Sequence, residues 1–502
     1  MFYFNDDPSS YPKSVLVIFT LIVVYLARYL INWFIKIRSL PPGPWGLPVL
    51  GYLPFIRNHI YLEFDFLAKQ YGPVFCLKLG IHHVIVISDW DHMKEAFSNE
   101  DLLARPHETF FPGIMNERSL IEMSGDSWRD HRQTAMSILR NVGLGKSSME
   151  EKISDEIDQF LTTLDSDSVD FEAKILPSVS NNISILLFGH KFDYKDPVKL
   201  QLDRDFNDVV KHFQFAGVTA FLPWLSNVLI AFGKFNADVV AKAIRSSHNY
   251  FQTEIDKHEQ KFDENEVIDY LDGYLLERKN RHRKGQNADD VFSIQVLLRN
   301  TADFFGAGSE TVISTLTWAM VYLVKYPELQ DKIREEIMNN IGSERKPMFT
   351  DRNQMPFTMA FLNETHRHAS VLPVNLLRRA AKDTKIGQFN IPKDCIVIFN
   401  FWSVHYDPKL WDNPEEFNPD RFLTKSNGES KVTTPKYLVP FSGGKRACPG
   451  EGLAQVELFL YLTNILQKFQ ISTESGTKVS LDSHYGIARR PKTMPKLIFT
   501  RI

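Results

Sequence analysis

Phe441-Ser442-Gly443-Gly444-Lys445-Arg446-Ala447-Cys448-Pro449-Gly450 sets one cysteine in a glycine-bent basic loop, immediately before a predicted helix over Glu451 to Lys468. Gly444 and Gly450 permit turns that a Cβ would obstruct. The positive end of the following helix favours an anionic sulfur, so Cys448 is a candidate metal-ligating thiolate. Taken alone, a single Cys is more often a small buried hydrophobe. A structural zinc site needs further Cys or His at short spacing. The other two of the three cysteines, Cys76 and Cys395, lie far away and read as core residues of strands. A second constellation, Ala307-Gly308-Ser309-Glu310-Thr311, places a carboxylate beside a hydroxyl within a predicted helix over Asp289 to Lys325, a pairing suited to moving protons. Gly306 and Gly308 each cost about 1 kcal/mol relative to Ala inside a helix, so they require a compensating reason. A purely structural reading has Gly308 packing a helix crossing and Thr311 bonding back to its own helix.

The pattern Phe-x-x-Gly-x-Arg-x-Cys-x-Gly fixes five residues over ten positions, and with it the chain resembles the cytochrome P-450 superfamily of haem-thiolate monooxygenases. The resemblance covers nearly all of the chain. It implies haem b with Cys448 as the axial iron ligand, and Thr311 and Glu310 as catalytic residues that deliver protons. Val312 departs from the many relatives that carry a second hydroxyl there. Arg446, Trp128 and Arg132, the last two four apart in Trp128-Arg129-Asp130-His131-Arg132, are the implied partners of the haem propionates, with Arg105 and Arg378 as further donors. Glu364 and Arg367, three apart on one helical face, would form only a surface pair worth a few tenths of a kcal/mol if exposed. The resemblance implies instead a buried structural group completed by Arg421 of Phe417-Asn418-Pro419-Asp420-Arg421-Phe422. Substrate contacts are expected from Phe110, Phe111, Ile114, Phe213, Ala307, Val371 and Ile487, whose shared apolarity favours a lipophilic molecule.

These residues need a scaffold. With 43% hydrophobic residues, 38 Phe and no Gly/Ser-rich linker after residue 50, the chain reads as one large catalytic unit, residues 39–502. Helices are predicted over Trp128–Asn141, Ser147–Leu164, Pro197–Gln214, Ala237–Glu259, Pro327–Ile341 and Thr358–Ala369, besides the two above. Strands are predicted over Val74–Leu79 and Val84–Ser88, around Gly80, and over Thr384–Ile386, Cys395–Asn400 and Lys496–Arg501. The fold class is therefore mainly α with small β-sheets, the cytochrome P-450 fold. The basic run Arg278 to Gly285 is expected to be a solvated loop. A net charge of −3 gives no basic excess for nucleic acid.

Ser14 to Ile35 is almost wholly apolar, long enough as a helix to cross a hydrocarbon core of about 30 Å. Ala27 is followed by Arg28, not by a small-residue cleavage site, so residues 1–38 are expected to be a retained membrane anchor and not a cleaved signal. Lys36 and Arg38 after it, against Asp6 and Asp7 before it, leave the catalytic part in the cytosol. Leu40-Pro41-Pro42-Gly43-Pro44 is a stiff separator. Family members of this arrangement reside in the endoplasmic reticulum membrane. No flavin or nicotinamide domain is evident, so electrons from NADPH imply a separate NADPH-cytochrome P-450 reductase as partner, with cytochrome b5 as a further donor. Lys445, Arg129 and Arg140 are candidates for its docking face. Two alternatives stand beside the monooxygenase: a haem-thiolate isomerase or dehydratase acting on a lipid peroxide, and a non-catalytic haem-binding sensor.

Overall fold

The computed structural model describes residues 17–25, 27–28, 40–57, 59–108, 111, 114, 117–164, 168–426 and 428–502. The organising element is a helix of 32 residues, Ile294–Lys325, roughly 48 Å long at 1.5 Å per residue. Every residue from 312 to 323 is buried, as expected of a helix that is apolar all round. The expected single helix from Asp289 is interrupted. Asn287 caps a short turn over Ala288–Val291, and the Ser293 side chain then accepts from Val296 N at 3.2 Å to start the long helix afresh. Phe292, between the two caps, is buried beneath the Arg281 guanidinium at 3.8 Å and the His131 ring at 4.0 Å.

Around the central helix stand α1 (Ile60–Tyr71), α2 (Gly125–Val142), α3 (Phe171–Phe188), α4 (Pro197–Lys211), α5 (Ala237–Lys261), α6 (Tyr270–Arg283), then the central helix itself as α7, α8 (Pro356–Ala369) and α9 (Glu451–Lys468). Helix α3 escaped the periodicity reading because it has no polar face and carries Pro177 in its interior. The basic run at 278–285 is a correction. Arg278 to Arg283 form the last turns of α6, where cations suit the negative end of the helix. Arg281 is no solvated charge, since it makes two 2.7 Å bonds to the Asp130 carboxylate of α2.

The main sheet runs β1 (Val74–Leu79), β2 (His82–Ile87), β4 (Ile396–Phe399), β3 (Arg378–Arg379). The first two form the expected hairpin, with Gly80 in its turn at φ +58, where a Cβ would meet Phe221 O at 2.0 Å. β4 then pairs parallel to β2. Near the C-terminus, β5 (Phe469–Ser472) pairs with β8 (Ile498–Arg501), and β6 (Ser483–Tyr485) with β7 (Arg489–Pro491). Cys76 lies in β1 and Cys395 just before β4, both buried.

Glu364 and Arg367 on α8 are fully buried and joined by two 2.7 Å bonds, and Arg421 reaches Glu364 Oε1 at 3.2 Å. Arg367 also donates to His405 O, Pro414 O and Glu416 O, so every face of the ion pair is hydrogen-bonded, the condition under which a buried pair is tolerated. His405 accepts from Val439 N at 3.1 Å, which ties this group to the segment leading into the cysteine loop.

The expected anchor falls mostly on residues outside those described. Residues 17–25 are helical, with apolar side chains from Val17 to Tyr25 exposed. Among the described residues, no helix is long and apolar enough to cross a membrane.

Candidate haem-thiolate site

The cysteine loop is shaped by positive-φ turns at Ser442 and Gly444. Gly444 has a reason beyond its φ of +69, because a Cβ there would lie 2.1 Å from Phe97 O. Cys448 N donates to Phe441 O at 2.9 Å, and α9 begins three residues later with Gly450 as its cap. Protein lies close around the Cys448 sulfur, yet the residue is exposed, so a ligand can reach it. Burial pushes its thiol pKa up, while the N–H groups of Gly450 and Glu451 and the Arg132 charge pull the other way. That donor set is suited to an anionic, metal-bound sulfur.

Five arginines gather on the same side: Arg105, Arg118, Arg132, Arg378 and Arg446. Their guanidinium groups donate largely to backbone carbonyls. Arg105 reaches Ile121 O, Leu376 O and Leu377 O, and Arg446 reaches Leu103 O and Met123 O. Arg132 bonds Ala447 O at 2.6 Å, pinning α2 to the cysteine loop. Arg446 stacks over Trp128 at 3.8 Å, so the indole backs the guanidinium. Burial lowers the pKa of Arg446 to about 8, aided by the four neighbouring cations; burial and Arg132 lower Arg105 to about 10; burial and Arg105 lower Arg378 to about 9. An arginine stays protonated in proteins, so such a cluster calls for an anion. Arg378 Nη1 and Arg118 Nε are buried with no hydrogen-bond partner. Two carboxylates of a haem fit this donor set. Arg105, Arg132, Arg378 and Arg446, proposed from sequence, are brought together here, and Arg118 is an addition that no spacing signalled.

On α7, Gly306, Ala307 and Thr311 leave an open stretch just before the fully buried run from Val312 to Leu323. Ala307 is exposed, a Cβ on Gly306 would meet nothing within 4 Å, and Thr311 is half-buried. Gly308 has a different reason, because a Cβ there would lie 2.5 Å from Ile183 Cδ1 of α3: it packs a helix crossing. Thr311 Oγ1 donates to Ala307 O at 3.0 Å, which commits its proton to the helix and leaves the oxygen as an acceptor. Glu310 is buried and gripped by Arg490 of β7, with Ser314 donating to Oε1 at 2.9 Å. The open carboxylate relay expected from sequence is thus a paired one, and Arg490 was missed because it lies 180 residues away. One turn before Ala307, burial raises the Asp303 pKa to about 6 against the pull of Arg299.

Of the expected substrate contacts, Phe110 lies outside the described residues. Phe111 packs edge-on against Phe213 at 5.9 Å, and with Ile114 it joins the apolar cluster of Leu229, Val240 and Ile244. Val371 is nearly buried, its carbonyl accepting from Arg489 N at 2.7 Å, and Ile487 packs on the main core. Of the docking candidates, Lys445 pairs with Glu100, and Arg129 with Asp126 at 2.6 Å. Arg140 is exposed at the end of α2.

A mainly helical fold with a thiolate loop beside a buried arginine cluster defines a haem-thiolate oxygenase. The comparisons with known proteins agree: a family model described as Cytochrome P450 matches residues 41–496, and the chain belongs to that family. It is similar to cytochrome P450 18a1 of Drosophila melanogaster, 31% identical over 94% of this chain and 89% of the relative. It is likewise similar to cytochrome P450 2J2 of Homo sapiens, 34% identical over 94% of each chain, and to cytochrome P450 1A5 of Gallus gallus, 31% identical over 90% of this chain and 88% of the relative. The protein is accordingly a haem-iron monooxygenase of the oxidoreductase class.

Replacing Arg378 by Met tests the arginine cluster. Losing one charge-assisted hydrogen bond, worth about 1.5–3 kcal/mol, should weaken haem retention roughly ten- to a hundredfold. Haem-transfer kinetics to an acceptor protein would measure it, and wild-type retention would remove Arg378 from the propionate site.

Proposed function

We propose that this enzyme uses dioxygen and NADPH-derived electrons, passed from a separate reductase, to hydroxylate a lipophilic organic molecule of the steroid, fatty-acid or xenobiotic kind. Bound haem iron supplies the reduction of dioxygen and the oxygenation of the C–H bond. Cys448 holds the iron, Trp128, Arg132, Arg105, Arg378 and Arg446 hold the propionates, and Thr311 and Glu310 manage protons. The observation that carries this reading is the half-buried Thr311 hydroxyl on the open stretch of α7. Its proton is spent on Ala307 O, so its oxygen can hold the hydrogen of a water beside the reacting centre. Thr301, Thr315, Thr365 and Thr463 bond back in the same way, so it is the position of Thr311 on the open stretch, and not the bond itself, that supports the role.

Lipophilicity of the substrate is supported by the company of Phe111, Ile114, Phe213, Ala307, Val371 and Ile487, which offer burial and no charge. Residues 1–38 act as a membrane anchor and 39–502 as the catalytic domain, on the cytosolic face of the endoplasmic reticulum. Two features support this division. The helical residues 17–25 present only apolar or aromatic side chains and Thr20, and the proline segment is seated on the globule, Cys76 N donating to Pro42 O at 2.9 Å. Trp45, Trp224 and Phe232 are exposed, Trp45 at 88%, as suits side chains that meet an interface. The reductase, with cytochrome b5 as a further donor, would meet the cysteine-loop side near Lys445, Arg129 and Arg140.

Thr311→Ala should raise the peroxide released per NADPH consumed several-fold; unchanged coupling would remove Thr311 from proton handling. Titrating the ferric protein with sterols, fatty acids and xenobiotics should shift the Soret band for one or more of these apolar classes, and a response only to polar or charged compounds would contradict a lipophilic substrate. Deleting residues 1–38 should weaken membrane binding with the haem spectrum intact, whereas haem loss would show that the anchor is not separable.

A further inference from the structure

Glu310 poses a chemical problem. A carboxylate chelated by a guanidinium has both oxygens occupied and is poorly placed to carry a transferable proton. Arg490 Nε donates to Glu310 Oε1 at 2.8 Å and Nη2 reaches Oε2, so both oxygens are engaged. The same guanidinium has a second carboxylate partner, Nη1 lying 3.3 Å from Glu172 Oε2 on α3. The two acids differ in access: the Glu310 side chain is 1% exposed and that of Glu172 29%. Ser314 bridges the group, accepting from Arg490 Nε at 3.3 Å while donating to Glu310.

We propose that Glu172, Arg490 and Glu310 form a two-carboxylate, one-guanidinium relay in which Glu172 is the solvent-side proton store and Arg490 the positioning residue that decides which acid is free. This rests on the reading of Glu310 and Thr311 as the proton-handling pair. Two carboxylates sharing one guanidinium leave one negative charge that a single bound proton would cancel. In the resting arrangement of this relay, Arg490 chelates Glu310, as in the structure, and Glu172 is the acid assigned the proton. Burial, and the nearby Glu310 and Asp170 charges, raise the Glu172 pKa against the pull of Arg490. In the exchange, a proton leaves a Glu172 oxygen and one arrives on a Glu310 oxygen, while Arg490 turns from the second carboxylate to the first. No electrons move, and the summed charge of the three groups stays zero. Glu310 then gives its proton up toward Thr311, recaptures Arg490, and Glu172 reloads from solvent. The other titratable neighbour is His484, opposite Arg490 in the β6–β7 pair, whose pKa is lowered by burial and by that arginine, so it adds no charge near neutrality.

The haem-loaded ferric protein, without turnover, gives the first test by difference infrared spectroscopy of wild type against Glu172→Gln near neutral pH. The variant should lack one deuterium-sensitive protonated-carboxyl band, and Glu172→Asp should restore it. In turnover, Glu172→Gln should raise peroxide per NADPH several-fold and alter the solvent isotope effect, with Asp again restoring both. Arg490→Lys, which cannot chelate one acid while touching the other, should also uncouple. A lowered melting temperature with unchanged band and coupling in Glu172→Gln would mark a merely structural clamp and overturn the relay. If Thr311→Ala uncouples while Glu172→Gln does not, only the relay fails; if neither uncouples, the reading of Glu310 and Thr311 fails with it.

Discussion

Concentrated positive charge beside the cysteine loop is the constraint on which the rest of the structure depends. Arg105, Arg118, Arg132, Arg378 and Arg446 come from the 103–123 segment, α2, β3 and the loop itself, and each is depressed in pKa chiefly by burial. Backbone carbonyls satisfy many of their N–H groups, but a carbonyl does not cancel a charge. Glu122 offsets part of it for Arg105 and Arg118. The remainder is a repulsion that a bound anion would relieve.

The second requirement is rigidity behind the cysteine. Glu364, Arg367 and Arg421 supply it as a fully bonded buried group, linked through His405 to Val439 and so to the loop that begins two residues later. Removing one partner of such a group leaves a buried charge unpaired, a loss of roughly 3–5 kcal/mol, whereas the intact group contributes little net stability. Its value is geometric. Arg132 does the same from the other side, fastening α2 to Ala447.

Helix α7 reconciles two demands on one element. Its C-terminal half must be apolar all round to serve as core, while residues 306, 307 and 311 must leave space and present an acceptor. Gly308 belongs to the first demand and Gly306 to the second, although sequence treats them alike. Glu310 lies where the two demands meet, buried and hydrogen-bonded to Arg490.

Sequence alone determined what local chemistry can determine. The decapeptide around Cys448 carries its own turns and its own helix start, so the loop and α9 were legible together. The apolar periodicity of 147–161 and 237–261, and the alternation flanking Gly80, likewise marked their elements because a period of 3.6 or 2 is a local property. The clustered arginines were legible only as residue types at familiar positions. Tertiary structure decided everything that depends on a partner distant in the chain: α3, hidden by the absence of a polar face; the pairing of Arg281 with Asp130, which turned a charged run into helix; Arg118 as a fifth cation; and Arg490 between Glu310 and Glu172. The reason is physical. A charge's environment is set by what packs against it, and no spacing within the sequence encodes which of 502 residues that will be.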